Sequence, residues 1–247
     1  MNLNRVGVAS MVAALALSAA AGADQLHQGR SDAQALAEQA RAITQLQAEV
    51  TALRAGDPDW ASVVTQVQPS VVTVTSDEDL GSGWVVRSDK NGSDIVTNYH
   101  VVAMAVEKGE DDIEVTQFDR SMSADILRTD PLDDLAVLHV VQTLKPLVTA
   151  AFRPKVGTPV LDLGSPLGLK GTVSAGVVSA YRSIFGSDYL QFTAPISPGN
   201  SGGPVVDAAG RVVGIATAKI VYDGADALYF AIPVQVLCSG LAECAQA

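Results

Sequence analysis

Ser201 stands between glycines in Ser197-Pro198-Gly199-Asn200-Ser201-Gly202-Gly203-Pro204, and a hydroxyl on such a turn can attack an electrophile if a base takes its proton. A serine hydroxyl is a weak nucleophile at neutral pH, so it needs an imidazole, and the imidazole needs a carboxylate to hold its tautomer. Both types occur upstream, at His100 and Asp134. Glycine at 199, 202 and 203 permits positive φ at little cost. The amides of Gly199, Asn200 and Ser201 can then converge on one point, an oxyanion hole, where a single donor is worth about 3 kcal/mol of transition-state stabilisation. The same residues also read as an ordinary glycine-rich turn leading into Val205-Val206.

Chain order separates the chemical alternatives. Gly199 to Gly203 fits Gly-x-Ser-x-Gly, the elbow of α/β-hydrolases, but that arrangement needs its histidine after the serine. His27, His100 and His139 all precede Ser201. The order His, Asp, Ser is the one used by two-barrel enzymes of chymotrypsin type. His100 follows the β-prone run Asp94-Ile95-Val96-Thr97, which stops at a polar turn and resumes at Val101-Val102, so the base is expected at a strand end, rigid yet open to a cleft. His139, inside Leu135-Ala136-Val137-Leu138-His139-Val140, reads as packing or surface, and His27 lies too near the N-terminus to take part. Pro131 favours a turn before Asp133-Asp134, where the chain enters a strand. Successive side chains in a strand point to opposite faces, so only one of the two carboxylates faces His100, and periodicity does not choose between them.

These segments resemble the protease domain of the HtrA/Deg family of trypsin-like serine endopeptidases. The likeness runs through Gly81-Ser82-Gly83-Trp84-Val85-Val86, Thr97-Asn98-Tyr99-His100-Val101-Val102, Asp134-Leu135-Ala136-Val137-Leu138, Gly164-Ser165-Pro166-Leu167-Gly168 with Val173 to Ser179, and Gly199-Asn200-Ser201-Gly202-Gly203-Pro204. Val213-Gly214-Ile215 and Phe230-Ala231-Ile232-Pro233 extend it, so that it covers roughly Gln66 to Val236 in order. The resemblance implies an all-β fold of two six-stranded antiparallel β-barrels preceded by an N-terminal helix. It assigns the orienting role to Asp134, the aspartate directly before a Leu-Ala pair. Two positions depart from the family pattern: Thr193 where Asp is usual and Ser197 where Asn is usual, both on the loop that shapes the pocket and its activation. Larger members carry PDZ modules after the protease, and with only a short tail beyond Val236 the expectation here is a protease domain without one. Trimers are implied by the family, but the aromatic N-terminal contacts that often hold them are not evident, so a homo-oligomer is expected without a stated stoichiometry.

The expected reaction is hydrolysis of a peptide bond: Ser201 attacks the carbonyl, His100 accepts the proton, and Asp134 holds the imidazole. The substrate pocket is expected to be lined by Pro195, Ile196, Ser197, Ile215, Ala216 and Thr217. Pro195 occupies the place where trypsin-like pockets that accept Lys or Arg carry an acid, so cleavage after small or medium aliphatic residues is expected. The rival reading is a non-catalytic peptide-binding or chaperone-like protein on the same scaffold, with the loop at Thr193 and Ser197 leaving the oxyanion hole unformed.

The rest of the chain must position these groups. Of its 247 residues 48% are hydrophobic and 17% charged, and from Val63 on, short Val- and Ile-rich runs recur between Gly, Pro, Asp and Ser clusters, which are strand signals. The formal net charge is −11, with no basic cluster, so nucleic acid is not expected as a partner; the partners expected are polypeptide substrates. Cys and His do not cluster with ligand spacing, so no metal or other cofactor is expected. Residues 1–23 read as an export leader: Arg5, an apolar run from Val6 to Ala21, and Ala21-Gly22-Ala23 as cleavage site. The expected location is therefore periplasmic or secreted, with no stable membrane insertion once the leader is cleaved. Residues 24–58 form a helical segment in which Leu36, Ile43 and Val50 recur every seven residues, with Leu46 and Leu53 between them, the spacing of a tethering helix or a short coiled coil. Residues 59–237 are expected to be the protease domain and 238–247 a short tail. Cys238 and Cys244 are a candidate disulfide in an oxidising compartment, provided the chain turns at Ser239-Gly240, because on an unbroken helix they would be too far apart.

Overall fold

Runs such as Leu135-Ala136-Val137-Leu138 are apolar at every position because both faces of their strands are buried. In this computed structural model, Ala136 and Leu138 point into a barrel while Leu135 and Val137 point into a second apolar layer shared with another barrel. The structure describes residues 36, 38–47, 58–77, 79–109, 113–165, 171–184, 186–220 and 228–246. The leader over residues 1–23, His27, Val50, Leu53 and Pro166-Leu167-Gly168 lie outside them. Residues up to Asp57 and those from Pro58 onward make two separate compact units. In the first, residues 38–47 are helical, and Leu36, Ile43 and Leu46 are each more than half exposed.

The second unit opens with helix α1, Trp60–Val67, capped by Asp59, whose carboxylate accepts the Ser62 amide at 3.2 Å. Val63 and Val67, four positions apart, bury one face of it. That 3.6-residue spacing, with the cap, wins over the β preference of valine at the point where strand signals were expected to begin.

Six strands then close the first barrel: β1 Val71–Ser76, β2 Asp79–Asp89, β3 Gly92–Thr97, β4 Ile113–Gln117, β5 Arg120–Asp130 and β6 Leu135–Val140, in the order β1-β2-β3-β6-β5-β4. Helix α2, Tyr99–Lys108, packs Val101, Val102 and Ala105 into that barrel's core. The second barrel holds β7 Pro159–Gly164, β8 Thr172–Ile184, β9 Ser187–Phe192, β10 Pro204–Asp207, β11 Val212–Ile220 and β12 Leu228–Pro233, in the order β10-β11-β12-β9-β8-β7. All named pairings are antiparallel, so the two six-stranded barrels expected from the sequence are present.

Between the barrels, Trp84, Val86, Val96, Leu135 and Val137 meet Leu161, Leu163, Val206, Ile215 and Ile232 in one apolar layer. Each fully buried aliphatic side chain of this kind stabilises the unit by about 2 kcal/mol, so the barrels are held face to face. Helix α3, Val234–Cys238, follows β12 and buries Val234 and Leu237 in the same layer. The chain turns after it, Cys238 and Cys244 are bridged with a Cα separation of 5.5 Å, and the Thr149 amide, between the barrels in sequence, donates to the Ala245 carbonyl at 2.8 Å.

Candidate active site

His100 lies on the first turn of α2, not at the end of a continuing strand. Asn98 occupies the N-cap position in an extended conformation, and the apolar pair Val101-Val102 is helical because it plugs the barrel end rather than pairing with a neighbour. The expected strand resumption is therefore corrected, while the helix holds His100 rigidly.

Asp134 ends the turn before β6 with φ of 52°, a left-handed conformation uncommon for a non-glycine residue. That turn aims its carboxylate at the imidazole: His100 Nδ1 lies 3.0 Å from Oδ1 and 2.9 Å from Oδ2, and the His100 amide donates to Oδ1 at 3.0 Å. Thr217 Oγ1 donates to Oδ2 at 2.6 Å, and Asn98 Nδ2 donates to the Asp134 carbonyl at 2.9 Å. Of the adjacent pair it is thus Asp134 that faces the histidine, while the Asp133 amide donates to Asp130 Oδ1 at 3.2 Å.

The electrostatics follow from these bonds. The Asp134 hydrogen bond raises the His100 pKa above its ordinary 6.5, outweighing burial, which lowers it. Burial pushes the Asp134 carboxyl up, but the bonds and charge of His100 and the Thr217 hydroxyl together hold it below the ordinary carboxylate value. With Nδ1–H on the carboxylate, Nε2 is left as the acceptor for a substrate-side proton.

Ser201 follows the turn Ser197-Pro198-Gly199-Asn200. Gly199 has φ of 97°, and the Asn200 amide donates to the Ser197 carbonyl at 3.0 Å. Of the three amides expected to converge, the Asn200 N–H closes the turn on Ser197, whereas those of Gly199 and Ser201 make no hydrogen bond among the described residues. The Ser201 hydroxyl donates to the Thr217 carbonyl at 3.2 Å, and no hydrogen bond joins it to His100 among those residues. Thr217 therefore touches both ends of the set, its hydroxyl on Asp134 and its carbonyl on Ser201.

Two residues that the sequence reading did not single out hold this loop in place. Ser82 of β2 is fully buried; its Oγ donates to the Gly199 carbonyl at 2.6 Å and accepts the Ser165 amide at 2.9 Å, while its own amide donates to the Ser201 carbonyl at 2.8 Å. It ties the first barrel to the loop of the second. At neighbouring Gly81 a Cβ would lie 2.6 Å from Val101 Cγ2 and 3.1 Å from the Ser201 carbonyl oxygen, so the bare backbone there lets the helix of His100 and the loop of Ser201 approach the same strand. Asp162 of β7 accepts from Asn200 Nδ2 at 2.5 Å. A hydroxyl or a carboxylate inside an otherwise apolar strand was the available signal for both.

Ile196, Ser197, Pro198, Ser201 and Thr217 line a pocket of about 190 Å³ beside the Ser201 hydroxyl. Pro195, Ile215 and Ala216 are not part of it. Pro195 is exposed, with its carbonyl accepting from Ser174 Oγ at 2.6 Å. Ile215 sits in the layer between the barrels and Ala216 in the core of the second barrel, because β11 is buried on both faces over this stretch, and Thr217 is its residue in the pocket lining. Among the described residues, no group of His, Cys, Asp and Glu has the arrangement of a metal site.

The trypsin-like peptidase domain profile matches residues 81–215. The magnetosome formation protease MamE of Paramagnetospirillum magneticum is 36% identical over 223 residues, 72% of this chain and 29% of that protein. A probable periplasmic serine endoprotease, DegP-like, of Pseudomonas putida is 39% identical over 167 residues, covering 64% of this chain and 33% of the relative. The crystal structure of Deg5 superposes with a TM-score of 0.62 at 33% identity, over 72% of this chain and 90% of that one. The chain thus spans about a third of the length of these two sequence relatives. By profile, by sequence and by fold, this chain belongs to the trypsin-like peptidase domain family, in its HtrA/Deg branch of serine endopeptidases.

Proposed function

We propose that the chain is an extracytoplasmic endopeptidase in which Ser201 is the nucleophile, His100 the general base and Asp134 the group that orients the imidazole. The observation that carries this reading is the pair of contacts from His100 Nδ1 to both Asp134 oxygens, at 3.0 and 2.9 Å, in the cleft where Thr217 also meets Ser201. On substrate binding the Ser201 hydroxyl leaves the Thr217 carbonyl and donates to His100 Nε2. Attack on the peptide carbonyl gives an oxyanion facing the amides of Gly199 and Ser201. The imidazolium, stabilised by Asp134, then protonates the leaving amine, and water repeats the sequence on the acyl-enzyme. The lining of the pocket is uncharged, and its size suits a small or medium aliphatic side chain. The names of the DegP-like relatives support a periplasmic location, and the substrates we propose are polypeptides, as in protein quality control.

One observation favours the non-catalytic alternative, namely that the Ser201 hydroxyl rests on Thr217 rather than on His100. A panel of otherwise identical peptides with Val, Ala or Arg before the scissile bond decides the matter. We expect turnover of the Val and Ala peptides at least tenfold above Arg, abolished by Ser201→Ala. A preference for Arg contradicts the pocket assignment, and equal turnover by Ser201→Ala contradicts the nucleophile.

A further inference from the structure

Asp162 is a carboxyl in a place built for a neutral group. It lies on β7 with no exposed surface, opposite Ser174 of β8 and Val205 of β10. Its Oδ2 accepts from Asn200 Nδ2 at 2.5 Å. Asn200 is itself only 2% exposed. The two remaining oxygens of this pair, Asp162 Oδ1 and Asn200 Oδ1, are both buried and have no donor among the described residues. An ionised carboxyl here would be a buried charge with one hydrogen bond, a costly state. A single proton removes the difficulty, because a neutral carboxylic acid brings an O–H donor into a site that has acceptors and lacks donors. Burial pushes the carboxyl up to about 7 against the lowering effect of the Asn200 bond, and no charged group contributes to that shift. Ser174, Val205 and Asn200 are the residues that β8, β10 and the loop set against it.

The position of Asn200 gives this pair a consequence for catalysis. It lies between Gly199 and Ser201, whose amides face the developing oxyanion, and the backbone around it is tight: a Cβ at Gly164, two residues along β7 from Asp162, would come within 3.1 Å of Asn200 Cα. We propose that Asp162 is a positioning residue of the catalytic loop: its neutral carboxyl, an acceptor at one oxygen and a donor at the other, pins Asn200, and with it the amides of Gly199 and Ser201, in the arrangement that receives the oxyanion, and ionisation, which removes the donor and leaves two buried acceptors facing each other, loosens them. This rests on the reading of Ser201 as nucleophile. Losing the alignment of one oxyanion donor costs about 10²–10³ in kcat, so a loop that loosens lowers kcat with little change in KM.

The test is the pH dependence of kcat for wild type, Asp162→Asn, Asp162→Ala and Ser201→Ala on a Val-containing peptide. Wild type is expected to rise as His100 loses its proton and to fall again by tenfold or more as Asp162 ionises. Asparagine at 162 can accept from Asn200 Nδ2 and donate to Asn200 Oδ1 without titrating, so Asp162→Asn keeps the kcat of the acid form and has no falling limb. Asp162→Ala is expected to lose at least tenfold in kcat with KM within about twofold; should it fail to fold, Asp162→Asn alone decides. A falling limb that persists unchanged in Asp162→Asn, or its absence in wild type, overturns the role of Asp162 while Ser201→Ala remains inactive. Activity retained by Ser201→Ala overturns the underlying reading as well.

Discussion

At the scale of single residues, the centre depends on how the carboxylate of Asp134 is held, and Thr217 is the clearest case. In the sequence it is one more polar residue in an apolar strand, expected to line the pocket. In the structure its hydroxyl donates to Asp134 Oδ2 at 2.6 Å and its carbonyl accepts from Ser201. A hydrogen bond to a charged group contributes about 1.5–3 kcal/mol, so Thr217→Val, which keeps the volume and removes the hydroxyl, is expected to lower kcat by about tenfold or more. Because the base acts only when neutral and Asp134 raises its pKa, the rising limb of the pH profile is expected to have its midpoint above 6.5. Stopped-time peptide hydrolysis between pH 5 and 8 measures both quantities. An unchanged kcat in Thr217→Val, or a rising midpoint below 6.5 in Asp162→Asn, where no falling limb overlaps it, contradicts the geometry described for Asp134.

At the scale of elements, the Ser201 loop is a tight turn pressed against β2 and β7. Gly202 shows how little room there is: its φ is 87°, and a Cβ would lie 2.1 Å from the Ser82 carbonyl oxygen and 2.5 Å from Thr97 Oγ1. Backbone, not a flexible side-chain end, stands in the way. Gly202→Ala is therefore expected to cost at least about 2 kcal/mol of stability in urea unfolding and to abolish turnover; a variant with wild-type midpoint and activity would show that the loop is far looser than described. This is also where sequence reasoning succeeded and failed for physical reasons. Glycines flanking Ser201 announce a strained turn, so the loop was legible. The helix at His100 was not, because Val101-Val102 has strand propensity and only the need to close the barrel end makes it helical. Nor did periodicity place Ile215 and Ala216, since a strand buried on both faces has no polar side to mark which residues reach the cleft.

At the scale of the whole molecule, two barrels share one apolar layer and leave a cleft along its rim, with His100 and Asp134 from the first barrel and Ser201 and Thr217 from the second. The barrels were legible as strand runs between turn residues, and the order His, Asp, Ser pointed to the cleft between them. What stitches them together was not: Ser82 reaches from one barrel to the loop of the other, and Thr149 bonds the tail at Ala245, contacts made across long sequence separations that no local pattern encodes, whereas the Cys238–Cys244 bridge, six positions apart, was a candidate from the sequence. The central claim is that these distant groups form one nucleophilic centre. Intact-mass and peptide-level mass spectrometry after exposure to a fluorophosphonate tests it most directly. The account predicts a single adduct, on Ser201, formed far more slowly in His100→Ala; a folded protein that takes up no label, or carries it on a different serine, would contradict it.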